Sequence, residues 1–173
     1  KFNISPMLAR ILRNRDLITE EDVSSFLYAG IESLHDPFLM KGMEEGMAIA
    51  FSAVDSGKKI RVIGDYDVDG ICASYVLKSF FDLLGAKCDV RLPDRMLEGY
   101  GMNPSMADEA SMDGVSLIIT CDNGVSSYDA ILRAKELGMD VIVTDHHEIP
   151  PIIPPANVII NPKQSNCSYP YKE

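Results

Sequence analysis

RVIGDYDVDG, residues 61–70, begins as a β-branched apolar run and breaks into aspartates at alternate positions, Asp65, Asp67 and Asp69. An apolar run of strand length that stops abruptly in acid reads as a buried strand whose last residues leave the sheet. Carboxylates this close repel one another, and a partly buried group of them needs a compensating positive charge, for which a divalent metal is the strongest candidate. The calcium loop of an EF-hand opens with the same D-x-D-x-D-G but closes with a bidentate Glu at its twelfth position. Here that position is Val76, and residues 59–64 are strand-like where an EF-hand has a helix. A solvated acidic turn is the other simple reading of the stretch by itself.

Outward from this stretch, strands and helices alternate. Residues 5–14 carry Met7, Leu8, Ile11 and Leu12 at helical spacing, with Ser5 as cap and Pro6 in the first turn. Thr19 caps a second short helix whose first turn holds Glu20, Glu21 and Asp22. These two form a helical N-terminal appendage, residues 1–36, expected to pack and to carry no chemistry. A longer helix is expected over 37–54, on the stripe Leu39, Met43, Met47, Ala50, Phe51 and Val54. A strand over 59–64 follows, then a helix over 70–84 with Leu77, Phe80, Phe81 and Leu84 inward and Gly85 as its stop. Next come a strand over 88–92, an irregular loop over 93–103, and a short helix begun by Asn103-Pro104. A strand over 115–121 leads into Asp122-Asn123-Gly124, a helix capped by Ser126 or Ser127, and a strand over 141–144 that runs into Asp145-His146-His147. Four prolines within 149–155 make a stiff connector to a last strand, 158–160.

This alternation predicts an α/β fold, a parallel sheet with helices on both faces, over residues 37–173. Three of its strands then release acid or histidine at their carboxyl ends, the edge where open α/β sheets bind ligands. Taken singly, Asp122-Asn123-Gly124 reads equally as a turn with a helix cap, and the paired histidines as a cap and a surface residue. His35, beside Asp36-Pro37, reads as structural.

Carboxylate and imidazole without thiolates at ligand spacing favour Mn²⁺ or Mg²⁺, with imidazole tipping the choice to manganese and zinc less suited. Three clusters hold more acidic ligands than one ion needs, which points to two metals and to phosphoester or phosphoanhydride hydrolysis.

Composition bounds the setting. The longest apolar runs fall far short of the roughly 20 residues of a membrane span, and no secretory signal pattern opens the chain, so no membrane partner is expected. Cys72, Cys88, Cys121 and Cys167 are scattered without a C-x-x-C pair, as in a reducing, cytoplasmic setting. A net charge of −10 argues against a basic nucleic-acid footprint on this stretch by itself. The chain starts with Lys, which reads as a piece of something longer.

GDYDVDG, CDNGVSS and VIVTDHH, in this order on strand ends, resemble successive motifs of the DHH phosphoesterase superfamily, with DHH itself at Asp145, His146 and His147. HDPFLM, the leading Asp65, LPDRMLEGYG and INPK make the resemblance tighter with its RecJ branch. What the resemblance implies is a single-strand-specific 5′→3′ DNA exonuclease of recombination and repair, with single-stranded DNA as partner and two divalent ions as cofactors. It makes Asp65, Asp67, Asp69, Asp122, Asp145 and His146 metal-site residues, with Asp122 bridging. It puts His147 against the scissile phosphate, and Arg95 and Tyr100 in a substrate-contacting loop. It also implies that the domain is truncated at its C-terminal end, where a glycine-rich segment, a further aspartate and other domains would follow, so that the piece alone is weakly active or inactive. Two rival readings are a relative acting on short oligonucleotides, cyclic dinucleotides or pyrophosphate, and a non-catalytic replication scaffold.

Overall fold

The computed structural model describes residues 2–172. They fall into two compact units divided after Asp36. In the first, α1 (Pro6–Asn14) starts where Ser5 Oγ accepts from the Leu8 amide, and α2 (Glu20–Tyr28) starts in a capping box between Thr19 and Asp22.

The second unit holds α3 (Met43–Asp55), β1 (Lys59–Ile63), α4 (Val68–Leu83), β2 (Cys88–Arg91), α5 (Pro104–Met112), β3 (Val115–Cys121), α6 (Tyr128–Glu136), β4 (Asp140–Thr144) and β5 (Val158–Ile160). The strands form one parallel sheet in the order β2-β1-β3-β4-β5. The order reverses direction between β1 and β3, and such a switch point opens a crevice at the carboxyl ends.

Side chains alternate across the sheet, so each strand feeds two cores. On one face Ile118, Val141 and Val143 pack with Met106 and Ala110 of α5 and Ile131 of α6. On the other, Val62, Ile119 and Ile142 pack with Ala53 of α3 and Phe81 of α4. This is the α/β architecture with helices on both faces that the alternation predicts.

Two helix boundaries differ from expectation. The helix expected over 37–54 is split into a 3₁₀ turn at Pro37–Leu39 and α3. Gly42 between them is left-handed (φ 87°), and a Cβ there would lie 2.8 Å from the Ile159 carbonyl oxygen and from Val158 Cγ1, so β5 forces the break. The helix expected from residue 70 starts at Val68, because Asp67 caps it. Its inward face also differs. Gly70, Ser74 and Phe81 are buried, while Phe80 and Leu84 are 43% and 42% exposed.

One charged residue sits inside the sheet. Arg61 is buried and donates to Asp89 Oδ1 and Oδ2 (2.7 and 2.9 Å), Asp113 Oδ2 (2.7 Å) and Glu109 Oε1 (3.3 Å). Burial raises the Asp89 pKa, but hydrogen bonds from Arg61 and Lys59 outweigh it and hold that carboxyl below its ordinary value. Removing the guanidinium strands three acids. Breaking a buried pair costs about 3–5 kcal/mol, and because these acids are 35–47% exposed we expect Arg61→Met to cost less, about 2 kcal/mol, in urea unfolding near neutral pH. A depressed carboxylate stabilises above its unfolded pKa and loses that contribution as pH falls through the folded value, so the gap between variant and wild type should close in acid.

Candidate metal centre

The cross-strand register sets the row of acids. Ile63 pairs with Thr120, Thr120 with Val143, and Val143 with Ile159. Two residues past that row stand Asp65, Asp122, Asp145 and Asn161, so a single line across the carboxyl edge presents three aspartates and an asparagine.

At the end of β1 the chain turns at once into α4, through two glycines. A Cβ on Gly64 would overlap Ser74 Oγ, and one on Gly70 would lie 2.5 to 2.7 Å from the backbone of Asp65. Asp65 is buried here, and among the described residues its Oδ1 has no hydrogen-bond partner. Asp67 Oδ1 accepts from the amides of Asp69 (2.9 Å) and Gly70 (3.1 Å), which hold its carboxyl below the ordinary value, the Gly70 amide most. Asp69, one turn into solvent, is 65% exposed.

At the end of β3, Asp122 is left-handed (φ 61°), a conformation that aspartate tolerates better than most residues. Burial first, then the charges of Asp69 and Asp67, push its pKa up against the pull of His146. Asn123, fully buried, donates to the carbonyls of Ile63 (3.0 Å) and Cys121 (2.9 Å) and accepts from the Met102 amide (3.2 Å). It ties β1, β3 and the 93–103 loop into one rim.

At the end of β4, Asp145 spends both oxygens inside the protein. Oδ2 accepts from the Val125 amide (2.9 Å), and Oδ1 from the amides of His146 (2.7 Å) and His147 (3.1 Å) and from His147 Nδ1 (2.7 Å). A proton on Nδ1 leaves Nε2, 3.3 Å from Tyr100 Oη, as the ring's acceptor. His146 Nε2 meets Asp122 Oδ1 at 3.0 Å and Asp69 Oδ2 at 3.7 Å. Asn161 donates to the His147 carbonyl (2.9 Å), holding the pair from β5.

Among the described residues, two sets of ligand atoms converge within 4.8 Å, one of Asp65, Asp67 and Asp122, the other of Asp122, His146 and His147. Asp122 belongs to both. Of the residues expected at the metals, Asp69 and Asp145 lie outside these sets, Asp69 at the rim and Asp145 as the anchor of His147. The partnerless Asp65 oxygen and the raised Asp122 carboxyl are what a divalent cation would relieve, so the donors fit the metals that the sequence calls for.

The loop that carries Arg95 and Tyr100 stands over this rim. Tyr100 Oη donates to the Asp122 carbonyl (2.8 Å) and lies 3.2 Å from His147 Nδ1, while burial and the surrounding aspartates push its pKa up and keep it a donor. The Arg95 guanidinium stacks over Tyr66 at 5.1 Å, and Tyr66 meets Tyr100 edge-on at 6.5 Å. Arg91 fastens the loop through Glu98 (2.6 Å), whose other oxygen takes the Asp94 amide (2.6 Å). Sequence reading missed Asn123, Tyr66 and the Arg91–Glu98 tie. The Asn-Gly pair reads locally as a turn, and only its burial between two strand ends shows more.

Residues 59–169 match the DHH family, N-terminal domain. The single-stranded-DNA-specific exonuclease RecJ of Bacillus subtilis (strain 168) is 40% identical over 173 residues, all of this chain and 22% of that protein. That of Escherichia coli (strain K12) is 33% identical, over 98% of this chain and 29% of its own length. A crystal structure of exonuclease RecJ bound to manganese superposes with a TM-score of 0.71 at 33% identity, over 77% of this chain and 34% of the other. RecJ from Thermus thermophilus in complex with Mn²⁺ gives 0.70 at 24% identity, over 98% of this chain and 25% of the other, a likeness of fold. The chain thus spans about a quarter of the length of the curated relatives it matches.

Proposed function

The chain belongs to the DHH family, and from that premise we propose that it is the metal-dependent phosphodiesterase part of a single-strand-specific DNA exonuclease that acts 5′→3′ in recombination and repair. The observation that carries this is Asp122, shared by two convergent ligand sets on one sheet edge. Asp65, Asp67 and Asp122 would hold one divalent ion and Asp122, His146 and His147 a second, with Mn²⁺ preferred, Mg²⁺ accepted, and Asp69 within reach of His146 at the rim. Bound there, the ions supply Lewis-acid charge to the phosphoryl oxygens and lower the pKa of the attacking water.

The side chains do the rest. Asp145 locks the ring of His147, so that it would meet the second ion on the side where we place the entering scissile phosphate. Tyr100 braces the Asp122 backbone, so that the shared carboxylate keeps its place as charge builds. Arg95, stacked on Tyr66, is the cation that the loop offers to the DNA backbone. The remaining basic contacts would come from other domains of a longer chain, because this stretch carries a net charge of −10 and should cleave poorly alone. Free cysteines and a DNA substrate suit the cytoplasm, and among the described residues no helix is long and apolar enough to cross a membrane.

The test is digestion by the complete protein of long single-stranded DNA labelled at either end, with Mn²⁺, Mg²⁺ or chelator. Release of the 5′ label first, with Mn²⁺ at least as effective as Mg²⁺ and no cleavage in chelator, is expected. Hydrolysis confined to dinucleotides or short oligonucleotides would turn the reading to a small-substrate phosphoesterase. Mn²⁺ binding without hydrolysis of any of these would turn it to a scaffold.

A further inference from the structure

The metal centre has a second wall that the reaction as described does not use. Between α3, α4 and the segment after β5 lies a cavity of about 390 Å³, and Asp69, Asp122 and His146 form one side of it. Asp145 and Thr144 line it too, and the other lining residues, Met40, Met43, Ala73, Pro162, Tyr169 and Tyr171 among them, are apolar or aromatic. Among the described residues no lysine or arginine lines it, and Thr144 Oγ1 is already committed to the Thr120 carbonyl at 2.7 Å.

The wall is built, not incidental. Gln164 Nε2 donates to the carbonyls of Ile159 (2.7 Å) and Lys41 (3.4 Å), Lys41 Nζ to Ser165 (3.3 Å), and Ser168 Oγ to Leu39 (2.8 Å). Lys172 Nζ closes the segment on itself, to Pro162 (2.8 Å) and Cys167 (2.9 Å). These ties clamp the segment that carries Tyr169 and Tyr171 to the turn that carries Met40, so the cavity exists before a ligand arrives.

Resting on the phosphodiesterase reading, we infer that this cavity seats the nucleobase of a nucleotide flanking the scissile phosphodiester. A second phosphate is disfavoured, since away from the metal edge the wall offers its charge no lysine or arginine among the described residues. A flat uncharged ring is what thioethers and tyrosine faces receive best, and base stacking on such surfaces is worth about 1–3 kcal/mol per base. A volume near 390 Å³ lies within the usual range of small-ligand sites, roughly 300–1,000 Å³. Because its side-chain donors and acceptors are the tyrosine hydroxyls and groups facing the metals, the seat accepts any base and reads none. A nucleotide held this way has its phosphate at the Asp122 edge, which makes the cavity a positioning device for the cut.

The experiment uses the full-length protein and single-stranded oligonucleotides in which either nucleotide flanking the first scissile bond is abasic. At one of the two positions, loss of the base should lower kcat/KM by about tenfold or more, the stacking energy above converted to a rate. Ala73→Leu fills the cavity, and in it the intact-to-abasic ratio should collapse towards one. Tyr171→Ala, at a wall residue that is 57% exposed, should lower the ratio in part and unfold at the wild-type temperature. A wild type indifferent to both abasic positions, or Ala73→Leu with the full wild-type ratio, overturns the inference. If no phosphodiester is hydrolysed at all, the functional reading falls by itself, and binding still decides the seat. The fluorescence of a 2-aminopurine nucleotide quenched by wild type and not by Ala73→Leu supports it, and equal quenching overturns it.

Discussion

Asp122→Asn in the full-length protein is expected to lower hydrolysis of single-stranded DNA by at least about 10²-fold, the effect of losing one electrostatic stabiliser in other enzymes. The expectation is this large because Asp122 is common to both ligand sets, so one substitution disturbs both ions. Folding should be spared. Asparagine accepts the left-handed backbone of this position (φ 61°) as readily as aspartate does, and it removes a carboxylate whose pKa burial already pushes up. The metal-free variant should therefore unfold at the wild-type temperature or above it. Asp55→Asn, on the exposed end of α3 that leads to the opposite edge of the sheet, is the control and should keep normal activity. Hydrolysis by Asp122→Asn equal to that of the control, with matched thermal unfolding, would remove the two-metal reading.

Gly70→Ala should destabilise the protein by about 3 kcal/mol or more, at the upper end of overpacking costs. Helix propensity alone argues the other way, since alanine inside a helix is favoured over glycine by about 1 kcal/mol. Space decides the sign. The new Cβ would meet the nitrogen, oxygen and Cα of Asp65 at 2.5, 2.6 and 2.7 Å, and backbone cannot swing aside as a side chain can. Gly46→Ala in α3 is the useful contrast, because the one close approach of its Cβ would be to the tip of Ile160 at 2.8 Å, with Ile142 Cγ2 at an ordinary 3.7 Å. Urea unfolding of both variants checks the ranking. A Gly70→Ala protein as stable as wild type would mean that α4 does not start hard against β1.

How much of this was legible in the sequence follows from what each signal depends on. Ser5, Thr19 and Asn103 cap their helices as read, because a cap is settled within four residues. The run of strands ending in acid was legible too, since period and polarity change together at residues 65, 122 and 145. Other features depend on distant partners and were not. The break at Gly42 is imposed by β5, more than a hundred residues later. Phe80 and Leu84 look as apolar as Phe81, yet only Phe81 turns inward, because Gly70 and Ser74 draw a different face of α4 to the sheet. Asp145 presents the same limit. That its oxygens take amides and a histidine of its own chain depends on Val125, twenty residues away, and on a turn that the strand pattern does not describe.

The parallel sheet also sets the order in which the molecule can assemble. Every pairing spans a crossover, and the central one joins Ile63 to Thr120, so no hairpin can nucleate the sheet and the folding barrier is dominated by long loop closure. The aspartate row comes into being only when β1, β3 and β4 are already in register. Its mutual repulsion is therefore met on the native side of the barrier. Relieving that repulsion, by a bound cation or by an asparagine at 122, should leave the refolding rate nearly untouched and slow the rate of unfolding, so that the centre acts as a latch on a structure already formed.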